Sequence, residues 1–448
     1  MAMPVVCAIV VLSAPAADAP VALRARDQAG VTSRVVVELK GEGLFLPGPE
    51  PRADAAKAAT GPKGLALKVE TRLEFAEKVL AAGPDGAATR SVRKVEKAGA
   101  AINGEVRATS AAIRPEVALL VAERKGGQVA VVSPGGPLTR AELELAQGPG
   151  DPLALAALLP AGPVATGDTW SVGPDAARSL SGYDTLDDNA VRATLESVDD
   201  ARAVARLQGA IRGSALGGQG TITVDGTFRF DRKLGRVEAL DIDRAEVRRA
   251  GPVEAGLDIK STLKVGRTPV ETPAELSDAA LAGVPLEAGA GRDLLVFRSP
   301  DGKYSLRHDR DWHIYWDSDR QTVLKRLAGG QVVAYCNLTA GPNAGKGRHQ
   351  DPEALRDDIR RAAGPRFVKV VGEGTVDGVA EGGYRYKVAV QGREGNVDVL
   401  WYYVLIAGPE GDQVLAVFTL ALDAVERFGD QDLRLVGSLE WAPPAKKP

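Results

Sequence analysis

The sequence predicts an α+β protein of two domains. An N-terminal antiparallel sheet is accompanied by helices, and a C-terminal set of antiparallel strands is bracketed by helices. Three observations carry this prediction. Alternating or β-branched runs dominate both halves of the chain, as half-buried strands require. Capped stretches of helical period stand at residues 138–160, 351–364 and 424–439. Of the 21 aromatic residues, 15 fall between Phe297 and Trp441, and so sharp a shift in composition marks a boundary. The length of 448 residues is also long for a single core.

In the N-terminal half, residues 33–46, 64–80 and 88–102 read as strands, followed by a hairpin over 116–134 that turns at Gly126 and Gly127. Residues 138–147 and 151–160 read as helices. Thr139 and Asp151 are their N-caps, and Pro152 sits at the first helical position, where its missing N–H costs nothing. Long strands return over 191–212 and 219–265, with a turn from Asp231 to Gly235. A Pro-, Gly- and Ala-rich stretch, 268–293, is then expected to be a flexible linker with one short helix over 273–281.

From residue 294 two short strands flank a turn at Pro300, Asp301 and Gly302, and a hairpin over 321–339 turns at Gly329 and Gly330. Asp351 and Pro352 open a helix that places Leu355, Ile359 and Ala362 on one face. Three strands follow. The first alternates Tyr384, Tyr386, Val388 and Val390 with polar residues. The other two, 396–406 and 412–422, are nearly continuous apolar runs, as expected of strands covered on both faces. A last helix spans 424–439.

Two resemblances add to this reading. Leu159-Pro160, Pro163-Val164 and Gly167-Asp168-Thr169-Trp170, with the later hairpin around Phe228 to Val237, resemble extracytoplasmic bacterial proteins of unassigned function. The order of elements from Val31 to Val265 is similar to the curved sheet over helices of periplasmic lipoprotein carriers. Tyr304-Ser305-Leu306-Arg307, Asp311-Trp312 and Ser438-Leu439-Glu440-Trp441 resemble the Mog1/PsbP-like family. That resemblance implies an α/β/α sandwich on an antiparallel sheet and a non-enzymatic accessory role. The family's turn carries a proline before the tryptophan, whereas Asp309-Arg310-Asp311-Trp312 stands here. The domains expected are 31–267 and 294–442, joined by 268–293 and followed by a disordered tail, 443–448.

The start, residues 1–19, reads as a secretory signal peptide with Ala14-Pro15-Ala16 as its cleavage site. Its n-region carries no Lys or Arg, which a start further upstream would explain. The location expected is extracytoplasmic, periplasmic or secreted. Removing Cys7 would leave Cys336 as the single thiol, so no intramolecular disulfide is expected. A net charge of −3 argues against a dedicated nucleic-acid binder, and no run of 18 apolar residues predicts an integral membrane segment in the mature chain.

The stretch 307–320 holds His308, His313, Trp312, Trp316 and four aspartates, the composition of a metal or acid/base site. Zinc needs three or four convergent ligands. The remaining histidine, His349, lies in a glycine-rich loop, so no metal and no cofactor is expected, and the histidines are expected to be solvated at the surface. Trp312 is expected to anchor the core. Tyr315 and Trp316, of opposite parity along a strand, should leave one ring exposed as a contact surface. Residues 341–347 lack the spacing and the hydroxyl of a phosphate loop. Asp187-Asp188-Asn189 lacks the glycine and glutamate of a calcium loop. The function expected is therefore a non-catalytic binding or accessory protein of the envelope, with an unknown protein partner. A carrier of an apolar ligand, such as a lipid or acylated peptide, and a hydrolase centred on His308 and His313 are the alternatives.

Overall fold

The computed structural model describes residues 19–46, 64–104, 109–125, 127–287, 289, 291–377 and 382–443. The expected signal peptide up to residue 18, Cys7 with it, Gly126 and the tail from 444 lie outside the described residues.

Thirteen strands form the first sheet: β1 (Thr32–Leu46), β2 (Leu65–Ala82), β3 (Ala88–Gly104), β4 (Thr109–Ala111), β5 (Leu119–Lys125), β6 (Gln128–Val132), β7 (Thr169–Ser171), β8 (Thr185–Asn189), β9 (Arg192–Val198), β10 (Arg202–Ala215), β11 (Gly218–Asp231), β12 (Arg236–Arg248) and β13 (Gly256–Pro269). All pair antiparallel, in the order β6-β5-β3-β2-β1-β13-β12-β11-β10-β9-β7, with β4 also beside β3 and β8 beside β10. Period-2 alternation splits the faces. Val35, Phe75, Leu240, Ile242, Leu263, Phe228 and Leu207 point into one core. The opposite face carries charged pairs such as Lys264–Asp241 at 3.0 Å and Arg206–Asp225 at 2.6 Å.

The buried face is covered by α1 (Arg140–Ala146), by a 3-10 helix (Pro152–Leu158) and by α2 (Pro174–Ser181). The α+β class is corrected here. The described chain is 54% strand and 15% helix, a mostly antiparallel β protein. The capping signals were real. Thr139 forms a capping box with Glu142, and Asp151 accepts from the Leu153 N–H. What they start, however, is one seven-residue helix and one 3-10 turn. Elements this short have little stability of their own and are held by the sheet they cover.

The linker is not loose. Its short α3 (Asp278–Leu281) and the preceding turn lay Leu276 and Leu281, both buried, on Ala76 and Val92 of the outer face. Lys78 Nζ donates to the Leu276 carbonyl at 2.9 Å and to Asp278 at 2.6 Å. With this strap outside and α1 inside, β2 is covered on both faces, and Leu73 to Val79 are all buried.

Beyond it, β14 (Leu295–Arg298), β15 (Tyr304–His308) and the terminal β23 (Glu440–Trp441) form a three-stranded sheet. A seven-stranded antiparallel sheet comprises β16 (Trp312–Asp317), β17 (Gln321–Ala328), β18 (Gln331–Gly341), β19 (Phe367–Thr375), β20 (Tyr384–Glu394), β21 (Val397–Ala407) and β22 (Gln413–Ala421), in the order β16-β17-β18-β22-β21-β20-β19. On one face α4 (Pro352–Ala363) buries Leu355, Ile359 and Ala363 against β20 and β21. Ala363, not Ala362, completes its apolar stripe. On the other face the small sheet, α5 (Val425–Phe428) and α6 (Gln431–Gly437) close a second core. The expected helix over 424–439 is thus two short ones, broken at Gly429, whose φ is +59°.

Candidate functional site

The stretch 307–320 closes the seam between the two large sheets. Asp309 accepts the Asp311 N–H on its side chain at 3.0 Å, an Asx turn that replaces the missing proline turn. The chain then enters β16 with Trp312, 1% exposed, set edge-on to Phe418 and Phe428 at 6.1 and 6.3 Å between centroids. Trp312 is therefore the core anchor expected.

The histidines are not solvated. His308 is 3% exposed and His313 7%. Their neighbour across the seam is α1, whose Arg140 donates to the carbonyls of Arg310 at 2.6 Å and Trp312 at 3.0 Å. Arg310 reaches back to the Val131 carbonyl at 2.7 Å, and the Val296 N–H donates to the Leu138 carbonyl at 2.9 Å. Burial, with a smaller contribution from the Arg140 charge, lowers both imidazole pKa values to about 4. His308 Nδ1 meets the Asp309 carbonyl at 2.7 Å, while its buried Nε2 has no hydrogen-bond partner among the described residues. The turn brings the two rings close enough to affect each other's charge. The nearby carboxylates of Asp309 and Asp311 are paired with Arg326, at 3.6 and 3.1 Å. His349 is elsewhere, stacked on Tyr384 at 3.5 Å. Among the described residues no group of three His, Cys, Asp or Glu could hold a metal ion.

The parity argument for Tyr315 and Trp316 fails for an instructive reason. Ile314 pairs with Leu324 but Trp316 with Val323, so Tyr315 is the extra residue of a β-bulge. The bulge exposes both rings, Tyr315 by 51% and Trp316 by 61%. Tyr335 of β18, 42% exposed, lies nearby, and Lys325 Nζ stands 3.2 Å from the Tyr315 ring centroid and 5.9 Å from that of Tyr335. This half of the sheet face lies away from the β19–β21 half that α4 covers.

The apolar face of the thirteen-stranded sheet is filled by the chain itself. Leu153, Leu155 and Leu158 are each at most 2% exposed. A cavity of about 140 Å³ remains between β1, β2 and the 144–152 segment, lined by Val37, Leu39, Leu73 and Phe75. A wider trough of about 1090 Å³ crosses six strands, between two rows of charged and polar side chains that include Lys40, Glu42, Asp225 and Asp243. Deep beside the small cavity lies a cluster that composition did not reveal. Arg93 donates to both oxygens of Asp151 at 2.8 and 2.7 Å and to Glu77 at 3.1 Å. Burial disfavours its charge, but the two carboxylates more than offset this and raise its pKa.

No family model matches this chain, and no curated protein matches it. Among solved structures it is similar in part to a protein of Bacteroides thetaiotaomicron, at 12% identity over 34% of this chain and 50% of that one, with a TM-score of 0.25. The chain thus spans half the length of that relative. It is also similar in part to the cyanobacterial PsbP of Synechocystis, at 13% identity over 35% of this chain and 99% of that one, with a TM-score of 0.26. Lipovitellin matches at 11% identity over 55% of this chain and 26% of that one, with a TM-score of 0.30. TM-scores this low assign neither fold nor function to this chain.

Proposed function

We propose that this protein is a non-catalytic binding or accessory protein of the bacterial cell envelope, which engages a partner protein through Tyr315, Trp316 and Tyr335. The observation that carries the reading is the pair of adjacent rings, each more than half exposed, that the bulge in β16 presents at a sheet edge. Exposed aromatic clusters cost solvation in a free protein and are enriched at the centres of interfaces, where large rings bury much area with little entropy loss. Lys325, seated between the tyrosines, adds a cation that an acidic or aromatic group on the partner can meet.

The alternatives find less support. A lipid or acylated-peptide carrier would need a pocket in the range of about 300–1,000 Å³ on its apolar face, whereas that face holds a cavity of about 140 Å³. A hydrolase would need an accessible base, whereas His308 and His313 are buried and Cys336 is a buried thiol whose pKa is pushed well up by desolvation. The leader-like composition of residues 1–19 supports an extracytoplasmic location.

The test is crosslinking of the exported full-length chain in envelope fractions of a host bacterium, comparing wild type with a Tyr315→Ala, Trp316→Ala double variant. A defined crosslinked partner lost in the variant supports the reading. Identical crosslinks from both proteins would overturn it. The mass of the exported chain, measured in parallel, should show the leader removed.

A further inference from the structure

We infer that the seam between the two large sheets is an acid-sensitive latch: neutral His308 and His313 hold it shut, and their protonation beside Arg140 opens it. The inference stands apart from the contact surface proposed above and rests on what faces the two rings.

From α1 come Arg140 and Glu144; from the turn, Asp309, Arg310 and Asp311; from the segment before β14, Asp293. From β17 come Lys325, opposite His313 in register, and Arg326, opposite Trp312. Glu254 of the β12–β13 loop lies within electrostatic reach of Arg140. On the side of β15, α6 brings Asp432, which is committed to Lys387. Four of the acids in this set have other partners, while Glu144 stays within electrostatic reach of Arg140. Asp309 and Asp311 are paired with Arg326, and Glu254 with Arg248 at 3.0 Å. Arg140 is held by two carbonyls, and its Nε has no hydrogen-bond partner among the described residues. Two protons added here therefore place two positive charges beside a cation, in a site where neither imidazole is ion-paired among the described residues. His308 also has an unpartnered Nε2, and protonation would turn it into a second buried donor with nothing to receive it. Asp311, whose carboxyl is pushed up by burial and by Asp309, changes in the same direction on acidification.

The bonds at risk are few and run from sheet to sheet. They include Val296 N–H to Leu138, Arg140 to Arg310 and Trp312, Arg310 to Val131 and to Gln147, and Lys325 to the Pro252 carbonyl at 2.7 Å. Opening the latch would separate β14–β17 from β6 and α1 while leaving each sheet's own ladder intact.

Hydrogen–deuterium exchange of the full chain at pH 7.5 and pH 5.0, corrected for intrinsic rates, tests this. Amides of residues 295–316 and 129–147 should open at least about tenfold more at pH 5.0, while those of β10–β13 stay unchanged. A His308→Gln, His313→Gln double variant should lose the acid response. Equal responses in the seam and in β10–β13, or an unchanged response in the double variant, would overturn the latch. Should that variant not fold, Arg140→Met serves. Removing the neighbouring cation should move the opening to lower pH, and an unmoved midpoint also sinks the inference.

Discussion

Two buried polar clusters in this molecule have solved the same problem in opposite ways. Inside the thirteen-stranded sheet, Arg93 is 1% exposed and carries two carboxylates within hydrogen-bond reach. At the seam, His308, His313 and Arg140 are also buried or nearly so, yet His308 and Arg140 hydrogen-bond to backbone carbonyls and none of the three is ion-paired among the described residues. Burial is alike, and the consequence differs. A paired charge stays charged across the neutral range, whereas an unpaired imidazole stays neutral only while the pH allows it.

Breaking the paired cluster should have the largest effect. Arg93→Ala would strand Asp151 as a buried carboxylate, leave Glu77 only Ser91 and the 3.4 Å contact to Arg267, and should cost about 3–5 kcal/mol in urea unfolding. Next comes acidification of the unpaired cluster. The His308 pKa is about 4 when folded and 6.5 in its reference state. A depressed folded value means stability is fully present above pH 6.5 and is lost as pH falls towards 4, by about 2 kcal/mol at pH 5 for this ring. His313 should add less. Urea midpoints at pH 7.5 and 5.0 measure the sum, and a flat profile would erase the contrast between the clusters. Glu142 does not blur that window. Burial pushes its carboxyl up, but Arg114 and two backbone N–H groups hold it below the usual range.

A smaller effect sharpens the picture. Thr139→Ala removes half of the capping box that starts α1 and so loosens the helix bearing Arg140. A loss of about 1 kcal/mol is expected, with faster exchange at the seam. The smallest effect belongs to Trp316→Ala, which should change stability by less than about 0.5 kcal/mol while removing partner contact, as thermal melts beside a binding assay would show.

What could be read from the chain followed the range of the interactions. The caps at Thr139, Asp151 and Asp351 and the turns at Asp231–Gly235 and Gly329-Gly330 depend on neighbours a few residues away, while the anchoring of Trp312 against Phe418 and Phe428 could be expected only through a resemblance. Those caps and turns were legible. The lengths of the helices depended on the sheet they cover, so 151–160 became a 3-10 turn. The linker's apolar Leu276 and Leu281 were visible, but not that Ala76 and Val92 would leave an outer-face site for them. His308 was read as solvated because Arg140 and Leu138, which close over it, lie some 170 residues earlier. The bulge at Tyr315 exposes both rings and so voids a parity argument that any regular strand would have obeyed. Nothing local marks Arg93, because its partner Asp151 lies 58 residues further along the chain.

The position of β1 has a kinetic consequence. It lies between β2 and β13, with Ser33 opposite Pro269 and Leu46 opposite Gly256. Its second partner is therefore synthesised more than two hundred residues after it. Local hairpins such as β2–β3 and β10–β11 can form as soon as their turns exist, but the ladder that unites them must await loop closure across the whole N-terminal half. Until then β1 offers an unpaired edge. The chain should fold slowly, and only once nearly all of this sheet has left the ribosome.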